Sequence, residues 1–230
     1  MTTRMTTVTR ITITRMTMNT EHLLTLTQWL SPAYPVGGFA WSHGLEQAVA
    51  DGGVHDLASL EEWLAALLRH GAGRTDAILL AAAHGAEGAA LAEVAELAAA
   101  LAPSAERRAE TLGQGAAFAA TTRAVWGLDL PDMPYPVAVG RAAALMGLPA
   151  LPVAQVLLQA FCSNLVQAAL RLMPLGQTNG QRALATCAPI CAMVAAEAVT
   201  LGPEDIGSAA FAADIASMRH EALSPRIFRS

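Results

Sequence analysis

Cys187 and Cys191 stand four residues apart, a spacing that puts two thiolates on one helical face and could grip a metal ion. Pro189 lies between them, and no His or carboxylate occurs within five residues on either side, so the pair reads as small buried hydrophobes. With Cys162 they make three cysteines, an odd and sparse set that is no secreted disulfide framework. The six histidines (His22, His43, His55, His70, His84 and His220) form no HxH or HxxxH pair, and each reads as a surface or packed side chain. Ser42 and His43 are neighbours, which on a helix would point about 100° apart, so they are not a nucleophile–base pair by themselves. His220-Glu221 could do acid–base work or could simply meet the last carbonyls of a helix. Arg107-Arg108 could hold a phosphate, but with Glu106 and Glu110 alongside it reads as a solvated helical face. All 14 basic residues are Arg, which excludes a P-loop Lys and a Schiff-base Lys. No phosphate-binding glycine loop, zincin motif or paired-carboxylate pattern occurs. The expectation is a protein that is not an enzyme, with no catalytic residue and no metal site of its own.

What the chain does contain is three shaped, irregular stretches: "SPAYPVGGFAWSHGLE" at 31–46, "RLMPLGQTNGQ" at 171–181 and "HEALSPRIFRS" at 220–230. Shaped loops without catalytic chemistry point to recognition surfaces. Pro32 and Pro35 reduce the loop's unfolded freedom, Gly37-Gly38 permit positive φ, and Phe39 and Trp41 are expected to anchor the loop on the following helix as a rigid elbow. In the last stretch, Ile227-Phe228 between Arg226 and Arg229 suits a partner groove, where aromatic and Arg anchors dominate binding; docking on the chain's own domain is the other reading.

The elements that carry these stretches are helical. Ala and Leu dominate, aromatics make up only 5%, and no alternating strand pattern longer than four residues occurs beyond the first twenty residues. Helices are expected at about 21–30, from a Ser59 capping box with Leu60, Leu64, Leu67 and Leu68 inward, at 75–86, and at 88–101 with Leu91, Val94, Leu97 and Leu101 inward. Others follow from an N1 Pro103 to about Trp126, and at 135–147, 152–173, 178–200 and 208–221, with a short turn at 202–205. The fold class is all-α, a single compact helical domain of about ten helices over 20–230, preceded by a disordered Thr/Arg-rich tail at 1–19.

Three arginines lie in the first twenty residues, so from Glu21 onward 11 Arg face all 19 acids, a net charge of about −8. A body this acidic is a poor match for nucleic acid and could suit a basic protein partner. The first twenty residues never assemble the apolar core of a signal peptide. Residues 142–170 carry no charge, but Pro149 and Pro152 interrupt the run, and Gln155, Gln159, Ser163, Asn164 and Gln167 make a polar stripe. That is a buried helix with one hydrogen-bonding face rather than a membrane span.

Taken in order, the three irregular stretches, with "ERRAETLGQGAAF" between them, resemble the signature regions of the UreF family of urease accessory proteins. The similarity covers essentially 20–230. The resemblance implies an all-α homodimer in the cytoplasm that assembles with a scaffold protein of the D/H type and a nickel-carrying GTPase of the G type. Together they insert nickel into apo-urease, with no membrane or nucleic acid involved. It implies no cofactor bound directly, since nickel and GTP are handled by the partners, and a water-filled passage that could follow Gln155, Gln159 and Gln167. The partner-binding residues carried over are Pro35, Gly37, Gly38, Phe39, Ser42, Gly44 and Glu46; Pro174, Leu175, Gly176 and Gln177; and His220, Glu221, Arg226 and Phe228. The alternative is a GTPase-activating regulator that supplies an arginine in trans, with Arg123, Arg171 and Arg182 as candidates. Tyr34, Trp41 and Ser224-Pro225 depart from the family's usual residues.

Overall fold

The computed structural model describes residues 18–230; the tail expected at 1–19 falls almost wholly on residues outside that range. The described residues form ten α-helices: α1 (Thr20–Trp29), α2 (Leu45–Ala50), α3 (Leu57–His70), α4 (Ala72–Gly85), α5 (Gly88–Ala100), α6 (Ala105–Trp126), α7 (Tyr135–Leu145), α8 (Ala150–Leu172), α9 (Gln177–Ala198) and α10 (Phe211–His220). Single 3₁₀ turns occupy Gly38–Ala40 and Pro203–Asp205, and no strand occurs among the described residues. The all-α expectation holds.

Helix starts follow from side chains that satisfy free amides. The Asn19 side chain accepts from His22 N at 2.8 Å and starts α1. Asp56 accepts from Ser59 N at 2.8 Å while Ser59 Oγ accepts from Asp56 N at 3.0 Å, so the capping box opens α3 with Ser59 at its third position rather than as its cap. Ser104 caps α6 by accepting from Arg107 N, so Pro103 stands before the cap rather than at the first helical position. The inward face of α3 is as expected, with Leu60, Leu64, Leu67 and Leu68 buried. On α5 the stripe drifts: Leu91, Val94 and Ala98 are buried, while Leu101 is exposed beyond the helix end.

The long helix α8 runs through the core against α4 and α9, and α2, α3 and the Gly38–Ala40 turn also lean on it. It is long and apolar enough to cross a membrane by composition, yet half of its most apolar window is buried inside the domain. All three cysteines are buried here, with Cys162 Sγ of α8 at 3.9 Å from Cys191 Sγ of α9. No group of three metal-ligating side chains occurs among the described residues.

Alanine and glycine let the helices approach closely. A Cβ on Gly140 of α7 would lie 2.3 Å from the Leu80 carbonyl oxygen of α4, and one on Gly115 of α6 would lie 1.8 Å from the Met133 oxygen. Five of the 11 aromatics, Trp29, Tyr34, Phe118, Trp126 and Tyr135, form one cluster. Trp29 meets Phe118 and Trp126 edge-on at 5.5 Å, and Tyr34 fills the gap beside them with its hydroxyl 2.8 Å from Thr122 Oγ1.

Gly140→Ala is expected to force α7 away from α4 and to destabilise the fold by about 1–3 kcal/mol. Thermal unfolding followed by circular dichroism should then show a midpoint lower by roughly 3–10 °C for a chain of this size. An unchanged midpoint would refute the close crossing.

Candidate functional site

The elbow at 31–46 reaches its shape through left-handed residues, a single one at Gly37 and a pair at His43-Gly44. Gly37 has φ 75°, His43 φ 53° and Gly44 φ 76°. A β-carbon on Gly44 would stand 2.7 Å from Ser217 N of α10, so only glycine lets the elbow lie against that helix. His43 is the one non-glycine residue with positive φ among the described residues, a conformation that side chains rarely adopt. The paired turns start α2 so that Glu46 points inward, where it is 6% exposed.

Glu46 is solvated by the protein itself. It accepts from the amides of Ile227 at 2.6 Å and Phe228 at 2.9 Å, and from His220 Nε2 at 3.0 Å. The other ring nitrogen of His220, Nδ1, lies 2.8 Å from Glu106 of α6, and Arg226 of the tail closes onto the same Glu106. Both nitrogens of a fully buried ring therefore face carboxylate oxygens, and the ring bridges α2 and α6. Burial opposes ionisation of Glu46, but the His220 bond and the two tail amides outweigh it and hold the carboxyl below its ordinary range. Further bonds fix the tail's path. The amide and hydroxyl of Ser42 donate to the Ser230 carbonyl, and Arg229 N donates to Ala40 O at 2.7 Å. The Arg171 guanidinium sits 4.4 Å over Phe228, and that of Arg229 sits 5.1 Å from Trp41.

A second buried cluster lies one turn along α6. Glu110 pairs with Arg107 and receives His43 Nε2 at 2.9 Å, and Ser230 Oγ lies 3.4 Å away. Burial would raise the Glu110 carboxyl, but Arg107 and His43 bring it down to about 2. Burial, with help from Arg107, lowers His43, so its ring is neutral at pH 7. His43 Nδ1 has no partner among the described residues. Burial, only partly relieved by Arg107, pushes half-buried Asp76 up to about 6. These groups line a cavity of about 60 Å³. It shares Tyr135 and Asn164 with a larger one of about 230 Å³ under the elbow, and Asp76 and Arg107 with one of about 70 Å³ on the α10 side. Gln159, Ser163 and Asn164 of the polar stripe face the cavity under the elbow.

Of the residues singled out in the sequence, Ser42, Gly44, Glu46, His220, Arg226 and Phe228 come together at this one junction. Glu221 reaches back to cap the Ala105 amide of α6. Pro35 and Gly37 lie on the elbow's exposed rim, and Gly38 is buried against Asn164. Pro174, Leu175, Gly176 and Gln177 form the separate α8–α9 turn, with Leu175 buried and Gly176 at φ 76°. Phe39 does not anchor the elbow: it is 52% exposed, because Trp41 takes the inward place and the tail covers it. The solvated face expected around Arg107 is overturned, since Arg107 and Glu110 point into the core and only Arg108 stays outside. His220 does not meet helix-end carbonyls. Glu106, Glu110 and His43 were missed as site residues, although two Glu four apart around Arg107-Arg108, with no further charge until Arg123, carried the signal. Arg123 is held by Leu130 O and Asp132, Arg171 by Phe39 O and Phe228, and Arg182 by Asn179.

The sequence model of the UreF family matches residues 54–188. A protein of Cereibacter sphaeroides described as urease accessory protein UreF is 55% identical over 208 residues, spanning 90% of this chain and 98% of the relative. Proteins of the same description from Roseobacter denitrificans and Azorhizobium caulinodans are 47% and 48% identical, over 94% and 90% of this chain and 97% and 95% of the relatives.

Substitutions at the two cavity carboxylates are expected to act in opposite directions. The folded Glu110 carboxyl titrates near 2, below its ordinary 4.5, so its stabilisation is present above about pH 4.5 and is lost as pH falls toward 2. Glu110→Gln should therefore cost about 3–5 kcal/mol at pH 7, by leaving Arg107 buried without its partner. The folded Asp76 carboxyl titrates near 6, above its ordinary 3.8, so it destabilises above pH 6 and is neutral to stability below about 4. Asp76→Asn should raise stability at pH 7 by about 1–3 kcal/mol, with the gain vanishing near pH 4. Urea unfolding at the two pH values checks both signs.

Proposed function

Because the chain belongs to the UreF family of urease accessory proteins, we propose that it acts as a non-catalytic assembly subunit in urease maturation. It works in the cytoplasm as a homodimer with the D/H-type scaffold protein and the G-type GTPase, which together insert nickel into apo-urease. Nickel is the cargo, GTP belongs to the partner, and no cofactor resides on this chain.

The observation that carries the reading is how the charges at the junction are used. Glu46, Glu106 and Glu110 are spent on His220, Arg226, Arg107 and His43, which leaves no free nucleophile–base pair there. What faces outward from the joined elbow and tail is apolar and cationic: Phe39 at 52% exposure, Ile227 at 59%, and the arginines 226 and 229. An apolar pair beside guanidinium groups suits a protein partner with an acidic rim. The α8–α9 turn, with Pro174, Gly176 and Gln177 exposed, is a second candidate contact. The adjoining cavities lined in part by Asp76 and Glu110 are the candidate route for a cationic cargo. In the arginine-in-trans alternative, Arg182 is the least committed candidate, since it has one partner, the neutral Asn179, where Arg123 and Arg171 each have two.

Removing the tail would also remove His220 and unbalance the core, so surface substitutions are the cleaner test. The double variant Phe39→Ser/Ile227→Ser should fold as the parent does yet fail to co-purify with the scaffold protein, with complex mass read by light scattering. A full-sized complex from the double variant would sink the claim for this face. Arg123→Ala, Arg171→Ala and Arg182→Ala in turn, with GTP hydrolysis as readout, separate the alternative: rates unchanged in all three within an intact complex leave only the assembly role.

A further inference from the structure

The three cysteines come from two helices and meet in the core. Cys162 stands on α8, and Cys187 and Cys191 stand one turn apart on the inner face of α9. All three are buried, and Cys162 Sγ lies 3.9 Å from Cys191 Sγ with no disulfide between them. The two helices run close together: a Cβ on Gly180 of α9 would lie 3.1 Å from the Val166 and Leu170 side chains of α8. α9 is also incomplete at this place. Pro189, exposed on its outer side, has no amide to donate to the Ala185 carbonyl, so one backbone bond is missing from the turn that carries both α9 cysteines.

We infer that Cys162 and Cys191 are an oxidisable pair, and that a small hydroperoxide converts them to a disulfide that staples α8 to α9. The inference does not depend on the partner reading, since both thiols lie inside the domain.

Two thiols packed sulfur to sulfur need only side-chain rotation and a small approach of the helices to reach the ~2.0 Å of a disulfide. The gap at Pro189 is where α9 opens most readily and admits the oxidant. Bonding to Cys187 and Cys191, with burial, raises the Cys162 thiol above its ordinary range, so the α9 thiol reacts first. Cys191 Sγ gives up its proton and attacks the outer oxygen of the hydroperoxide. The O–O bond breaks, the sulfur becomes a sulfenic acid, and water or an alcohol leaves. Cys162 Sγ then attacks the Cys191 sulfur, and its proton leaves with the hydroxyl group as a second water while the S–S bond forms. In all, two thiols lose two electrons and one hydroperoxide is reduced. The bond closes a ring from 162 to 191 around the Pro174–Gln177 turn, which takes freedom from the unfolded chain and stabilises the fold.

The reduced full chain, treated with hydrogen peroxide in native buffer, then unfolded, alkylated and cut with trypsin, tests this by mass spectrometry. Cys162 falls in the tryptic peptide 142–171, and Cys187 and Cys191 share the peptide 183–219. A cross-link between these two peptides is expected, about 2 Da lighter than the free pair, with one cysteine left to alkylate and the link opened by dithiothreitol. It should persist in Cys187→Ala and vanish in Cys191→Ala. The linked chain should unfold at a midpoint higher than that of the reduced chain by roughly 5 °C or more. Three alkylated thiols, sulfinic acid without a link, a link between two chains, or a link carried by Cys187 would overturn the inference. So would a linked chain no more stable than the reduced one. Should Cys191→Ala not fold, fragmentation of the wild-type linked peptide assigns the α9 sulfur directly.

Discussion

A carboxylate taken out of water must find its hydrogen bonds inside the protein, and Glu46 organises the molecule around that need. It sits on a helix of six residues, Leu45–Ala50, too short to hold itself in place. The elbow before it is turned by left-handed residues, and the acceptors it presents are filled by the far end of the chain, 174 to 182 positions away. Elbow, α10 and tail are therefore one structural unit, although the sequence places them at opposite ends. The second cluster, Glu110 with Arg107 and His43, repeats the arrangement one turn further along α6, and Ser230 joins it to Ser42 of the elbow.

The helical architecture was legible because its causes are local. Ala–Leu runs end at prolines and glycines, and the Leu60–Leu68 stripe needs no distant information. The errors are equally local. Ser59 reads as a cap because Asp56, the actual cap, lies just outside the apolar run. Pro103 reads as a first helical residue because Ser104 can cap only if the chain has already turned. Leu101 reads as inward because the helix stops one residue before it.

The site was legible by position but not by role. The irregular stretches marked Ser42, Glu46, His220 and Phe228, yet nothing in their spacing says that a buried imidazole links two glutamates from different helices. On α6, alternating charges look the same whether they face water or partners. The pattern Glu106-Arg107-Arg108-Ala109-Glu110 places Glu106 toward His220, Glu110 toward His43 and Arg108 outward, and only the packing of α6 against α10 and the elbow decides which is which. Phe39 and Trp41, both expected as anchors, part for the same reason: the tail, invisible to a local reading, covers Trp41 and leaves Phe39 exposed.

The tail is gripped largely by its backbone, and that separates shape from content. Glu46 holds the amides of Ile227 and Phe228, and Ala40 O holds that of Arg229, whatever side chains those residues carry. Of the pair at the tip, only Phe228 must fit a cavity, whereas Ile227 projects into solvent. The outward positions form a display whose lettering can be rewritten without moving the frame. In a chain built this way, single substitutions at the tip change the outward surface and leave the helical domain beneath untouched.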